Sequence, residues 1–158
     1  MSTSTLDAEF YETVIAYHML TDEPYLSSII DHLDEKFFDN KHISCVVNLI
    51  TDFYKKRSSA PTLTEIKSYL TTDELKRSFR EVVTLFDNFD KHFNKSELYE
   101  NTEKFLKEKA VYHTLLEVAD DTGNKDVNTG EILGKFEKAC NITLAADLGL
   151  DYIDEIDK

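Results

Sequence analysis

Turn-forming residues are nearly absent from this sequence, which holds 4 glycines and 2 prolines in 158 residues. An all-β fold needs such residues at short intervals, and a glycine-rich phosphate loop needs them in clusters, so both are disfavoured. No G-x-x-x-x-G-K-[ST], G-x-G-x-x-G or G-x-S-x-G occurs, which removes the phosphate cradles and the strained nucleophile turn that those patterns build. The two cysteines, Cys45 and Cys140, form no C-x-x-C, and each lies in an apolar helical context. They read as buried free thiols rather than a disulfide or a metal pair. His18, His32, His42, His92 and His113 show neither H-x-x-x-H nor H-E-x-x-H spacing, so no metal ligand set is expected.

Basic residues are also in short supply. Lys and Arg number 18 against 31 Asp and Glu, a formal net charge of -13. Nonspecific DNA affinity comes mostly from cations that neutralise phosphates, and a chain this acidic repels a phosphate backbone. The densest basic run, "YKKRSS" (Tyr54–Ser59), ends a helical pattern, where cations favour the helix dipole; a phosphate contact is the alternative. No apolar run approaches the roughly 18–20 residues of a membrane span, and no signal peptide is present. A cytoplasmic protein is expected.

What the sequence does have is helical period. Apolar residues recur three and four apart almost throughout. A first helix is expected from Leu6 to Leu20, with Phe10, Val14 and Tyr17 on one line and Tyr11, Ile15 and His18 on the next. Pro24 suits the first turn of a short helix, Tyr25 to Leu33. Phe37 and Phe38 follow in a connection and read as core plugs. A third helix, Lys41 to Lys56, carries Ile43, Val46, Val47, Ile50, Phe53 and Tyr54. Thr62 with Glu65, and Thr71 with Glu74, fit capping boxes for helices at Leu63–Leu70 and Asp73–Phe89. Asn94 with Glu97 resembles a further cap. It opens a long helix in which Leu98, Phe105, Tyr112 and Ala119 recur every seven residues. Asn128 with Glu131 suggests the cap of a last helix ending near Ile142 or Ala145, with Ile132, Leu133, Phe136 and Cys140 on one face. The fold expected is all-α: a compact head of about five helices over residues 1–92, an antiparallel helical hairpin over 93–146, and an acidic segment over 147–158.

Two other chemistries have partial signals. "DDTGNKDVNTGE" has the Asp/Asn density of a calcium loop, but its glycines and glutamate fall out of register with an EF-hand, so a solvated hairpin loop is the better reading. Carboxylates are abundant, yet none sits in an apolar run of the kind that tunes a catalytic acid. "YIDEID" reads as an exposed strip. On the residues alone this is an acidic helical interaction module, with no catalytic, cofactor-binding or metal residue to nominate.

Four segments in order carry a resemblance. They are "EFYETVIAYHMLTDEPYLSSIIDHLDEKFF", "NKHISCVVNLITDFYKKRSSAPTLTEIKSYL", "ENTEKFLKEKAVYHTLLEVAD" with its "K-E-K-A-V-Y" centre, and "EILGKFEKACNITLAADLGLDYIDEID" with its "G-L-D-Y". Together they resemble the N-terminal domain of DnaB-type replicative DNA helicases, in the form found in tailed phages related to the T-even group. The resemblance runs from about Glu9 to Asp157. It implies that the natural chain continues past Lys158 into a linker and a RecA-like ATPase domain. ATP and magnesium would bind there, and this chain would need no cofactor. It further implies a non-catalytic collar in a hexameric, ATP-dependent 5'-3' helicase of the host cytoplasm. That collar joins subunits and receives primase and a loader, and DNA is met only by the full ring.

By that analogy Phe105, Tyr112, Leu115, Leu116, Ile132 and Phe136 are available for hairpin packing or dimer contact. Tyr99, Leu106, Ala110 and His113 form a second line that would meet either the same chain's head or a second subunit. The Leu98–Phe105–Tyr112–Ala119 line is expected to pack on the returning helix near Phe136. Two competing readings are a stand-alone acidic phage adaptor or DNA mimic, and a metal-dependent enzyme built from scattered Asp, Glu and His.

Overall fold

In the computed structural model the backbone is described over residues 2–121 and 129–144, and side chains over 9–120 and 129–144. Every regular element among them is helical, and the chain divides into two compact units, Met1–His92 and Phe93–Lys158. The first holds five α-helices: α1 (Ser2–Thr21), α2 (Glu23–Ile29), α3 (Lys41–Arg57), α4 (Leu63–Tyr69) and α5 (Asp73–Leu85). The second holds α6 (Lys95–Asp121) and α7 (Thr129–Cys140).

Helix α3 is the centre of the head. Its Ile43, Val46, Val47, Ile50 and Phe53 are all buried, at the i, i+3, i+4, i+7 spacing that gives one continuous apolar face. It packs against both α1 and α5. Asn40 caps it, with the side-chain carbonyl accepting from His42 N (2.9 Å) and Ile43 N (3.2 Å). Ser58 ends it in the left-handed conformation (φ 58°), its N–H bonded to Tyr54 O at 2.7 Å.

Helix α1 is more deeply enclosed than two apolar lines imply. Residues 12–16 and 18–19 are all buried, including a carboxylate. Glu12 is 1 % exposed, and its two oxygens accept from the backbone N–H groups of Asp39 and Asn40, each at 3.0 Å. Charge-assisted bonds to otherwise orphaned amides offset the cost of taking the carboxylate out of water. Glu12 thereby holds the residue that caps α3. Phe10, expected on the buried face, is half-exposed, with an edge-on contact to Phe89 at 5.9 Å. His18 is buried between Tyr17 and Tyr25, and its Nδ1–H donates to Val14 O at 2.8 Å. Burial pushes its imidazole below the ordinary 6.5, against the opposing pull of that hydrogen bond and of Asp22.

Local signals settle most of the remaining ends. Asp22 caps α2, accepting from Tyr25 N at 3.2 Å, and Pro24 sits in its first turn. The helix tightens into a 3₁₀ turn at Ile30–His32. Phe37 and Phe38 are buried, as a core plug should be. The Thr62–Glu65 capping box is complete, and the Thr62 backbone N–H and hydroxyl hold the Glu65 carboxylate below its usual range. The second box is not the one expected: Thr72, not Thr71, caps α5, accepting from Leu75 N at 3.1 Å. Helix α5 ends at Leu85, and a 3₁₀ turn, Phe86–Asn88, brings Phe86 and Phe89 edge-on to Tyr17 at 5.3 and 5.5 Å. Lys91 stands over the Phe89 ring at 4.2 Å and donates to the carbonyls of Phe86 and Phe89. Among the described residues no buried side-chain nitrogen or oxygen lacks a partner.

The expected Asn128–Glu131 cap, the "DDTGNKDVNTGE" loop and the acidic end fall wholly or partly outside the described residues. Neither cysteine is fully buried: Cys45 is half-buried and Cys140 is exposed, which corrects the expectation for both. Among the described residues no helix is long and apolar enough to cross a membrane.

Candidate functional site

Helix α6 starts where Asn94 predicts, with its Oδ1 accepting from Glu97 N at 3.0 Å. Its sequence is apolar on more than one side, and the structure uses those sides differently along its length. Through the first three turns Leu98, Tyr99, Thr102, Phe105 and Leu106 are buried. Thr114 is buried further along, its hydroxyl donating to Ala110 O at 2.8 Å, and Ala110 and His113 are half-buried. On the other side of the C-terminal half the apolar residues open to solvent. Tyr112 is 55 % exposed, Leu115 52 % and Leu116 45 %.

Helix α7 returns along α6. Lys135 Nζ meets Glu117 Oε2 at 2.7 Å, and Leu144 N donates to Glu103 Oε1 at 2.8 Å beyond the helix end. Ala139, Ile142 and Leu144 are buried, and Ile132 and Phe136 are half-buried. Leu133 is 58 % exposed. A shallow groove of about 410 Å³ lies between the two helices, lined by Lys107, Glu108, Val111, Tyr112, Leu115 and Cys140. Leu133 is seven residues from Cys140, so both lie on one face of α7. The hairpin thus has an apolar groove formed by Val111, Tyr112 and Leu115 of α6 with Cys140 of α7, and further exposed leucines at Leu116 and Leu133.

The expected seams are therefore divided. Tyr99, Phe105 and Leu106 are buried side chains, and Leu106 is wholly inaccessible. A partner approaching the folded chain does not meet them. Tyr112, Leu115 and Leu116 are presented to solvent, whereas Ala110, His113, Ile132 and Phe136 are partly accessible. The Leu98–Phe105–Tyr112–Ala119 line does not stay inside as one seam. Its first two members are buried and its last two exposed. Drift around the helix is only about 20° per heptad and does not explain this, since Leu116, five full turns after Leu98 and on the same side, is also exposed; the two halves of the helix differ in what covers them. Leu133, Val111 and Cys140 are the accessible residues that sequence reasoning did not nominate. Leu133 and Cys140, expected on one face with Ile132 and Phe136, are both exposed.

Among the described residues no group of three or more His, Cys, Asp or Glu could hold a metal ion. The geometry defines an all-α chain whose second unit presents exposed apolar side chains on α6 and α7. No family model, curated protein or solved structure matches the chain.

Proposed function

We propose that this chain is a non-catalytic assembly domain, the collar-forming N-terminal part of a replicative DNA helicase of phage type, and that its hairpin joins it to a second copy. The observation that carries the reading is the exposure of Tyr112, Leu115, Leu116 and Leu133 on one hairpin, with Tyr112 and Leu115 in a groove beside Cys140. Contiguous exposed apolar surface on a soluble helical unit marks an interaction face. Antiparallel helices that leave a second apolar line open bury it most simply against the same line of another copy, in a two-fold interface. The helicase assignment itself rests on the four ordered sequence segments. In that setting primase and a loader are the further partners, ATP and magnesium belong to the following domain, and DNA is handled by the assembled ring in the host cytoplasm.

Sequencing the coding region beyond Lys158 tests the assignment. A frame continuing into a P-loop ATPase is expected. A frame that stops there would sink it, and would leave the acidic adaptor as the reading for the same hairpin surface.

A further inference from the structure

A second surface lies on the head and owes nothing to the hairpin. The chain as a whole is strongly acidic, yet cations gather along α5. A cleft of about 600 Å³ between the start of α3 and the first half of α5 is lined by Lys41, Lys76, Arg77 and Arg80, with His42 and Ser78 hydrogen-bonded to each other at 3.0 Å. Only Asp73 and Glu74 oppose them there, and both lie in the first turn of α5, where they suit the helix dipole. Among the described residues, none of the four cations makes an ion pair or a side-chain hydrogen bond. Contiguous with this cleft is a second of about 470 Å³, which shares Lys76 and Arg80, adds Lys67, and has Leu70, Phe79 and Val83 as its apolar floor. Val83 is 41 % exposed.

We propose that this face of α5 is a docking groove for a short acidic peptide of a partner protein, one whose carboxylates alternate with aliphatic or aromatic side chains. Three physical considerations select that occupant. The groove combines cations with an apolar floor, so it matches a ligand carrying both features. From Asp73 to Thr84 the helix rises about 17 Å, the span of about five extended residues, which is longer than a small anion uses. A nucleic acid fits worse. It carries a phosphate at every nucleotide and continues beyond both ends of the groove into the field of a chain of net charge -13, whereas a short peptide ends with the groove and alternates its charges with apolar side chains. Single-strand binding also needs aromatic platforms, and among the described lining residues the rings are Phe79, half-buried, and His42, half-buried and tied to Ser78.

The test uses a fluorescein-labelled synthetic peptide of alternating Asp and Leu, about six residues long. It is titrated by anisotropy at low salt against the full chain. Saturable binding is expected. Arg80→Ala, which alters both clefts at an exposed position, should weaken it about tenfold, the loss of one charge-assisted contact. Val83→Ser should weaken it less, and Lys55→Ala/Lys56→Ala, on the other basic run, should leave it unchanged. Circular dichroism checks that each variant keeps its helicity. No saturable binding at millimolar chain overturns the proposal. So does binding indifferent to Arg80→Ala, or displacement of the peptide by a single-stranded oligonucleotide at lower concentration than by unlabelled peptide. Repeating the titration on Leu116→Glu keeps the hairpin out of the result.

Discussion

Leu116→Glu on the hairpin should abolish self-association while leaving the fold intact. Fully burying a leucine contributes about 1.5–3 kcal/mol, and Tyr112, Leu115, Leu116 and Leu133 are each about half-buried already. Covering the remainder gains about 1 kcal/mol per side chain, or about 8 kcal/mol for the four residues on each of two copies. Association costs about 4–15 kcal/mol in lost translational and rotational freedom. The hairpin face alone therefore leaves at most about 4 kcal/mol and supports only a weak dimer, with a dissociation constant of millimolar order at best. A carboxylate in the middle of that face costs several kcal/mol to bury without a partner, which exceeds what the interface has in hand. In the free chain the same side chain stays in water, so stability should move by no more than about 0.5 kcal/mol. Sedimentation equilibrium from micromolar to millimolar chain reads the association, and thermal melting reads the fold. Alkylation of Cys140, an exposed thiol on the groove, supplies a second readout, because it should slow as the wild type associates. A wild-type chain that stays monomeric at millimolar concentration refutes the reasoning, as does a Leu116→Glu chain that associates equally well.

Leu106 behaves oppositely. It is inaccessible, so Leu106→Ala should cost about 2–5 kcal/mol, and Leu106→Asp should unfold the hairpin rather than merely separate subunits; urea titration followed by circular dichroism distinguishes the two. Glu12→Ala strips the acceptor from two backbone N–H groups and should destabilise the head by about 2–5 kcal/mol in chemical denaturation, with Glu12→Gln less harmful because one acceptor survives. An effect below about 1 kcal/mol would mean that water replaces the carboxylate at no cost. For His18 the sign follows from its lowered value. The unfolded chain binds its proton more readily than the folded one, so stability is full above the ordinary 6.5 and falls as pH drops through the folded value. Melting temperatures between about pH 7.5 and pH 5 should show that decline, and His18→Gln should flatten it.

Helix positions were legible because their causes are local. The i, i+3, i+4 stripe of α3, the Thr62–Glu65 box, Pro24 in a first turn and Asn94 before the long helix all act within a few residues. The Thr71/Thr72 choice was not legible, since either hydroxyl can cap and one residue of register decides. Glu12 was missed for a different reason. It stands in the apolar run "FYETVIAY", but its partners, the amides of Asp39 and Asn40, lie 27 and 28 residues away, and no local pattern shows what satisfies it. The basic groove on α5 was equally hidden, because Lys41 and Lys67 come from other helices and only packing brings them beside Arg80.

The amino-acid order by itself determined that this chain is helical, where most helices begin, and that its long helix carries more apolar surface than one neighbour can cover. Those properties follow from period, caps and composition, which are short-range. Which of the apolar lines is inside was decided only by tertiary structure. Burial depends on what lies across from a side chain: Leu98 and Leu116 stand on the same side of α6, eighteen residues and five full turns apart, yet the first is buried and the second exposed.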